Sequence, residues 1–143
     1  MDLLEKALEI ALKAYAGKKD KAGKTYILHP LRLMAKMATS AEMAVALLHD
    51  VIEDSEITAT DLLQAGIPAE VVEAVQLLTR NPADTYAEFV RKTLSNKLAA
   101  KVKKADIEDN INLLRLPAVS QKDLERAAKY HAAWQLLTSA GKE

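Results

Sequence analysis

Four ionisable side chains lie close together in the stretch ALLHDVIEDS at residues 46–55, namely His49, Asp50, Glu53 and Asp54. On a helix that turns by about 100° per residue they would share one side, and the leucine, valine and isoleucine side chains would form the other. A charged flank in contact with water is the ordinary interpretation of such a run. If the polar side were buried, however, its carboxylates would need a cation to compensate them. The histidine beside the carboxylates favours this second interpretation, a metal site.

One helix rarely completes a metal site, and His29 and Asp106 are the candidate ligands elsewhere in the chain. The residue before a proline avoids the helical region, so His29, which precedes Pro30, is predicted to be held at a helix entrance. Asp106 is predicted to share one stripe of a long helix with Lys103 and Asn110. Two imidazole nitrogens and two carboxylate oxygens would suit Mn²⁺, Fe²⁺, Co²⁺ or Zn²⁺ better than Mg²⁺. The four candidate ligands are His29, His49, Asp50 and Asp106.

The composition predicts one all-α domain, because 50% of the 143 residues are hydrophobic and only 4% are aromatic. Twenty basic residues balance twenty acidic ones, which argues against nucleic acid and acidic membranes as partners. The chain has no cysteine, so a metal must be bound by histidine and carboxylate side chains. It has no apolar run long enough to span a membrane and no signal-peptide pattern at its start, which predicts a cytoplasmic location.

The elements that must position these residues follow from apolar periodicity and from capping signals. The lysine-rich segment 17–28 is predicted to form a loop. We expect an orthogonal helical bundle of about eight helices, without strands or a second domain. The predicted helices cover residues 3–14, 31–38, 39–54, 58–66, 68–78, 85 onwards, 97–116 and 120–139.

The order of the candidate ligands resembles the H…HD…D signature of HD-domain metal-dependent phosphohydrolases. Longer stretches are similar to the hydrolase domain of RelA/SpoT-type alarmone enzymes, and the length is similar to that of the single-domain small alarmone hydrolases. The resemblance implies that residues 1–143 form a single HD domain with Mn²⁺-dependent hydrolase activity. The implied reaction removes the 3′-pyrophosphate of guanosine tetra- or pentaphosphate, (p)ppGpp, and leaves GDP or GTP. The similar stretches are YILHP (26–30), LLHDVIED (47–54), LTR (78–80) and VKKAD (102–106), followed by Asn110.

The resemblance also implies a role for each residue of the site. The four candidate ligands would hold a single Mn²⁺, and Glu53 and Asp54 would be the catalytic acidic pair. The ion would lower the pKa of a water molecule and offset charge on the phosphoryl oxygens. A carboxylate of the pair would orient or deprotonate that water. Substrate contacts are implied for the basic loop and for two later positions, namely Lys18, Lys19, Lys21, Asn110 and Tyr130.

The implied substrate contacts have alternatives. The lysines would be equally consistent with a solvated loop, and Tyr130 with packing. The loop region also departs from the pattern of the relatives, which often have histidine and glutamine in the segment 14–18. This chain has Tyr15 and Lys18 there, and it has Thr25 where relatives often have proline. These departures would alter which base or phosphate arrangement is accepted.

Three functions therefore stay open. The first is the alarmone hydrolase, and the second is an HD-type phosphohydrolase that acts on another nucleotide or phosphate ester, such as NADPH. The third is a non-catalytic, nucleotide-binding regulatory module, but such a protein would be expected to lose a ligand or an acidic residue, and all six are present. A small nucleotide is the expected partner, nucleic acid and membranes are not, and the protein is expected to be a monomer or a homodimer.

Overall fold

The computed structural model describes residues 1–140, and these confirm the predicted all-α fold. Nine α-helices and one 3₁₀ turn follow one another, and no strand occurs within that range. The helices are α1 Leu3–Tyr15, α2 Leu28–Ala35, α3 Ser40–Leu48, α4 Val51–Asp54, α5 Ala59–Gln64, α6 Ala69–Leu77, α7 Tyr86–Thr93, α8 Lys97–Asn110 and α9 Gln121–Ala140, and the 3₁₀ turn is Leu113–Arg115. Among the described helices, none is long and apolar enough to cross a membrane.

Several helices begin where the sequence predicts a cap. Thr39, Thr58 and Thr85 each accept a hydrogen bond from the backbone N–H three residues later, and the acidic side chain at that position bonds back. Each such cap contributes about 1 kcal/mol, because it satisfies backbone donors that have no partner within the helix. The starts of α3, α5 and α7 are therefore set by local sequence.

Helix α3 lies at the centre of the bundle, where it contacts α1, α2, α6 and α8. Residues 44–48 have no exposed surface, and all five side chains are apolar. A helix enclosed on all sides is apolar all round, which explains why this segment shows no polar stripe. The C-terminal end of α3 is consequently fixed in the protein interior, and His49 follows directly.

The prediction of one helix over residues 39–54 is wrong, because the helix breaks at His49 and Asp50. In a continuous helix the carbonyl oxygen of Ala46 would accept from the N–H of Asp50. Here that oxygen accepts from Nδ1 of His49 at 2.7 Å, and the N–H of Asp50 donates instead to the hydroxyl of Tyr15 at 3.2 Å. The break separates the two candidate ligands from the acidic pair on α4.

The predicted helix over residues 97–116 is also wrong at its end, since α8 stops at Asn110. The side chain of Asn112 accepts from the N–H of Leu114 and starts the 3₁₀ turn. The guanidinium of Arg115 donates to the carbonyl oxygen of Asp109 and so satisfies one of the last carbonyl groups of the helix. Side-chain capping thus ends α8 seven residues before Pro117.

The second helix begins earlier than predicted, at Leu28 instead of Leu31. His29 and Pro30 therefore lie inside its first turn, and both are buried. Proline is well tolerated there because its missing N–H would have no partner in the first turn. His29 is held rigidly, as predicted, but within the helix and not in front of it.

Candidate metal centre and active site

The four predicted ligands come together in the structure. One donor atom each from His29, His49 and Asp50 lie within 4.8 Å of one another. Oδ1 of Asp106 lies 2.9 Å from Nε2 of His29 and 3.6 Å from Nε2 of His49. The first turn of α2, the break after α3 and the middle of α8 thus bring the four donors to one place.

His49 presents Nε2 to this cluster. Its Nδ1 contacts the carbonyl oxygen of Ala46, and because a carbonyl can only accept, Nδ1 carries the proton. Nε2 is buried and has no hydrogen-bond partner among residues 1–140, although Oδ2 of Asp50 is 3.1 Å away. Buried nitrogens are nearly always bonded, so an unpartnered one beside two carboxylates fits a metal ligand.

His29 lies between two carboxylates. Its Nδ1 is 2.6 Å from Oδ2 of Asp109, and its Nε2 is 2.9 Å from Oδ1 of Asp106. A neutral imidazole carries one proton and can donate to only one of them. Without a metal, a second proton can satisfy both contacts, because, against the effect of burial, the two carboxylates raise the pKa of His29. A divalent ion bound to Nε2 would take the place of the proton on that nitrogen.

The charges of the cluster are set by mutual contact. Burial by itself raises the pKa of Asp106, but the ammonium of Lys103, 2.9 Å away, and the two imidazoles hold this pKa well below its ordinary value. Burial lowers the pKa of His49, but the carboxylates of Asp50 and Asp106 raise it well above its ordinary value. Without a metal, the two carboxylates are therefore ionised and His49 is protonated. A metal ion bound there would displace the proton from Nε2 of His49.

Two tyrosines that were not among the predicted site residues support Asp50. The hydroxyl of Tyr26 donates to Oδ2 of Asp50 at 2.5 Å, and the hydroxyl of Tyr15 accepts from its backbone N–H. The two rings meet edge to face, with centroids 5.0 Å apart. Tyr26 belongs to the YILHP stretch, which was the available signal. Tyr15, which departs from the pattern of the relatives, is buried here and holds the break after α3.

Replacing Tyr26 by phenylalanine is expected to weaken Mn²⁺ binding by about tenfold, the lower end of the range for partners that orient a metal ligand. The ring stays in place, but Asp50 loses a short, charge-assisted hydrogen bond. Isothermal titration of the metal-free protein measures the effect. Tyr86→Phe is the matched control, because the buried hydroxyl of Tyr86 has no hydrogen-bond partner in the described part of the chain. Equal affinities for the two variants would contradict the assigned support.

The acidic pair lies on the single turn of α4, outside the donor cluster. Oε1 of Glu53 accepts from the backbone N–H of Arg80 at 2.8 Å, which fixes the carboxylate. Burial and the carboxylates of Asp50 and Glu53 raise the pKa of Asp54. A fixed carboxylate and a neighbouring carboxyl group with a raised pKa are side chains of the kind that acid–base catalysis uses.

A cavity of about 480 Å³ opens beside the donor cluster and is lined by Asp50 and Glu53. Five basic side chains from the loop, α2, the 3₁₀ turn and α9 line it together with five carboxylates. Because Arg32 and Arg115 pair with Asp109 and Arg126 pairs with Asp123, the loop residues Lys19 and Lys21 are the cations that would attract a polyanion. Four of the five predicted substrate contacts lie on its wall, namely Lys19, Lys21, Asn110 and Tyr130.

Lys18 points elsewhere, because its Nζ donates to the backbone carbonyl oxygen of Asp54. Asn110 lies between the cavity and the donor cluster, because it lines the cavity and its Nδ2 donates to Oδ1 of Asp106 at 2.9 Å. Tyr130 packs against the ring of Tyr86 and also lines the cavity, so its contact with substrate stays a prediction.

Comparisons with known proteins point to one family. No family model matches the chain. It is 27% identical over 122 residues, 78% of its length, to a guanosine-3′,5′-bis(diphosphate) 3′-pyrophosphohydrolase of Aquifex aeolicus. It is 34% identical over 102 residues, 64% of its length, to the protein of that name from Vibrio cholerae. The chain spans only 18% and 14% of the lengths of these two relatives.

A comparison of the fold with solved structures also finds a SpoT-related protein. Among solved structures, a metazoan ortholog of SpoT, which hydrolyses ppGpp and plays a role in starvation responses, matches with a TM-score of 0.75. The identity is 20%, and the match covers 96% of this chain and 85% of that one. The chain therefore shares its fold with this structure, and its sequence is similar to proteins named as guanosine-3′,5′-bis(diphosphate) 3′-pyrophosphohydrolases.

Proposed function

We propose that the chain hydrolyses (p)ppGpp to GDP or GTP and pyrophosphate, with Mn²⁺ as its cofactor. The observation that carries the proposal is the buried Nε2 of His49, which has no hydrogen-bond partner in the described residues and faces the ionised carboxylates of Asp50 and Asp106, beside a cavity that Lys19 and Lys21 also line. The relatives' names supply the choice of substrate. The proposed ligands of the ion are His29, His49, Asp50 and Asp106.

The donor set supports the choice of metal. Two imidazole nitrogens and two carboxylate oxygens suit Mn²⁺ and its neighbours, whereas Mg²⁺ prefers oxygen ligands and retains its waters. A divalent ion bound there lowers the pKa of water and offsets the charge of the phosphoryl oxygens. The backbone N–H of Arg80 orients Glu53 toward its role as general base. Asp54 exchanges a proton with the reacting groups, since its pKa is shifted upward.

The protein binds the substrate through its phosphate charges and through its nucleoside. Lys19 and Lys21 attract the phosphate groups, while Asn110 and Tyr130, which line the same cavity, contact the nucleoside. Lys18 acts indirectly, because its contact with the carbonyl oxygen of Asp54 ties the basic loop to α4.

The direct test is incubation of the purified protein with Mn²⁺ and guanosine tetraphosphate. GDP and pyrophosphate are expected in equal amounts, resolved by anion-exchange chromatography, and EDTA should stop their release. Parallel reactions contain NADPH, other nucleotides and sugar phosphates. Cleavage of one of these but not of the alarmone would replace the proposed substrate. Nucleotide binding without turnover, with any divalent ion, would instead identify a regulatory module.

Four further sequence-based expectations stay predictions. They are the single domain over residues 1–143, the cytoplasmic location, the lack of nucleic-acid partners and the monomeric or homodimeric state. Analytical ultracentrifugation of the purified protein measures the last of them.

A further inference from the structure

Asp109 is a buried carboxylate outside the proposed ligand set, and it binds three side chains. Its Oδ2 is 2.6 Å from Nδ1 of His29. Arg32 donates two hydrogen bonds to the Asp109 carboxylate, from Nε to Oδ1 at 2.8 Å and from Nη2 to Oδ2 at 3.0 Å. Nη1 of Arg115 lies 3.3 Å from Oδ1. Only 5% of the Asp109 side chain is exposed, so these contacts replace its hydration.

Two pairs of side chains connect α2 and α8. The first pair is His29 and Asp106, and the second, three residues later on each helix, is Arg32 and Asp109. Positions three apart lie on the same face of a helix, so the second pair helps to set the spacing and rotation of the two helices that carry the first pair. Asp109 also contacts His29, which links the two pairs.

The contact between Asp109 and Nδ1 of His29 involves the imidazole proton. Both neighbours of His29 are carboxylates, and the contact with Asp109, at 2.6 Å, is shorter than the contact with Asp106, at 2.9 Å. With a metal ion bound at Nε2, the remaining imidazole proton lies on Nδ1 and is donated to Asp109. Histidines that bind metals usually make such a contact with a carboxylate or carbonyl, and its loss typically weakens metal binding by about 10–100-fold.

We propose that Asp109 is a positioning residue of the metal centre: it fixes the proton and the orientation of His29, and Arg32 and Arg115 hold it in place. The inference rests on the proposed function, since it assumes that His29 binds a divalent ion. It adds three side chains to the centre, and none of them was selected from the sequence.

The test compares the Mn²⁺ affinity of the wild type with that of Asp109→Asn in the absence of substrate, by electron paramagnetic resonance of free Mn²⁺. The dissociation constant of the variant is expected to rise by about 10–100-fold. Affinity is the readout because Arg32 and Arg115 also line the cavity, so turnover would mix metal and substrate effects.

Glu108→Gln is the matched control. Glu108 precedes Asp109 on α8, but its carboxylate contacts Trp134 at 3.1 Å and Lys36 at 3.7 Å, away from the donor cluster. The dissociation constant of Glu108→Gln for Mn²⁺ is expected to stay within about twofold of that of the wild type. An equal loss of affinity in both variants would overturn the proposal, because it would mean that α8 as a whole had been disturbed.

A second readout separates positioning from a purely structural role. In the Zn²⁺-bound wild type, ¹⁵N NMR should show the proton of His29 on Nδ1, and Asp109→Asn should lose this signature. Unchanged Mn²⁺ affinity with a lower melting temperature would overturn the proposal in favour of a structural role. If Asp109→Asn does not fold, Arg32→Gln takes its place, and it should weaken Mn²⁺ binding by at least about threefold. A wild type that binds neither Mn²⁺ nor Zn²⁺ would overturn the proposed function itself.

Discussion

His49→Ala is expected to lose Mn²⁺ binding and to slow (p)ppGpp hydrolysis by about 10³-fold or more. The variant removes the one buried Nε2 that has no other partner in the described residues and replaces it with a methyl group. A metal ion stabilises the charge of a phosphoryl transition state by several kcal/mol, and each 1.36 kcal/mol is a factor of ten in rate. Initial rates with saturating substrate, and Mn²⁺ titration of the same samples, measure the two effects.

His131→Ala is the matched control for this experiment. His131 is exposed on α9 and lines a separate groove with Trp134, so its rate should stay within about twofold of the wild type, as for most surface substitutions. Mn²⁺ should raise the melting temperature of the wild type and of His131→Ala but not that of His49→Ala, because an ion stabilises only the protein that binds it. Retained Mn²⁺ affinity in His49→Ala would exclude it as a ligand.

Asp106 is a poorer choice for the same test. Its Oδ2 accepts from the ammonium of Lys103, which is buried and lies over the rings of Tyr86 and Phe89. Removing one partner of a buried ion pair costs about 3–5 kcal/mol, a large share of the stability of a small domain. Loss of activity in an Asp106 variant would therefore mix metal loss with unfolding, whereas His49→Ala leaves this ion pair in place.

The parts of the fold that were predicted correctly depend on neighbours in the chain. The caps at Thr39, Thr58 and Thr85 involve residues three positions apart, so their pattern is visible in the sequence. The ligand candidates were found in the same way, from His49 beside Asp50 and from His29 before Pro30.

The early end of α8 was missed although it depends on nearby residues, namely Asn112 and Arg115. Two other missed features depend on contacts between distant segments. The break after α3 needs the hydroxyl of Tyr15, which lies 35 residues away in the sequence. The role of Asp109 is of the same kind, because its partners Arg32 and His29 are 77 and 80 residues away. Periodicity describes one helix at a time, so it could place a residue on a face but could not say what would face it.

The break also changes how the acidic pair acts. A continuous helix would have presented His49, Asp50 and Glu53 on one surface, next to the same ion. In the structure His49 and Asp50 belong to the donor cluster, while Glu53 lies one turn later on α4, on the cavity wall. In the proposed mechanism, metal binding and proton transfer therefore belong to different elements, and a substitution in one should leave the other intact.

Glu53→Gln tests this separation and is expected to lower kcat by about 10²–10⁴-fold, the usual contribution of a general base. Glutamine keeps an oxygen that can accept from the N–H of Arg80, so the side chain retains its position and loses only its basicity. The Mn²⁺ dissociation constant and KM should stay within about twofold of the wild type, since neither depends on a proton moving in the transition state. Steady-state kinetics and Mn²⁺ titration measure the three quantities.

The control for Glu53→Gln is Glu56→Gln, an exposed glutamate three residues later, just beyond α4. It makes the same chemical change near the same element, so any general effect of lost negative charge on the attraction of a polyanion appears in both variants. A fall in kcat confined to Glu53→Gln then isolates proton transfer. If Glu53→Gln instead loses Mn²⁺, the carboxylate is a ligand and the division between the cluster and α4 is wrong. If kcat is unchanged, the base lies elsewhere, and Asp54, with its raised pKa, is the next side chain to replace.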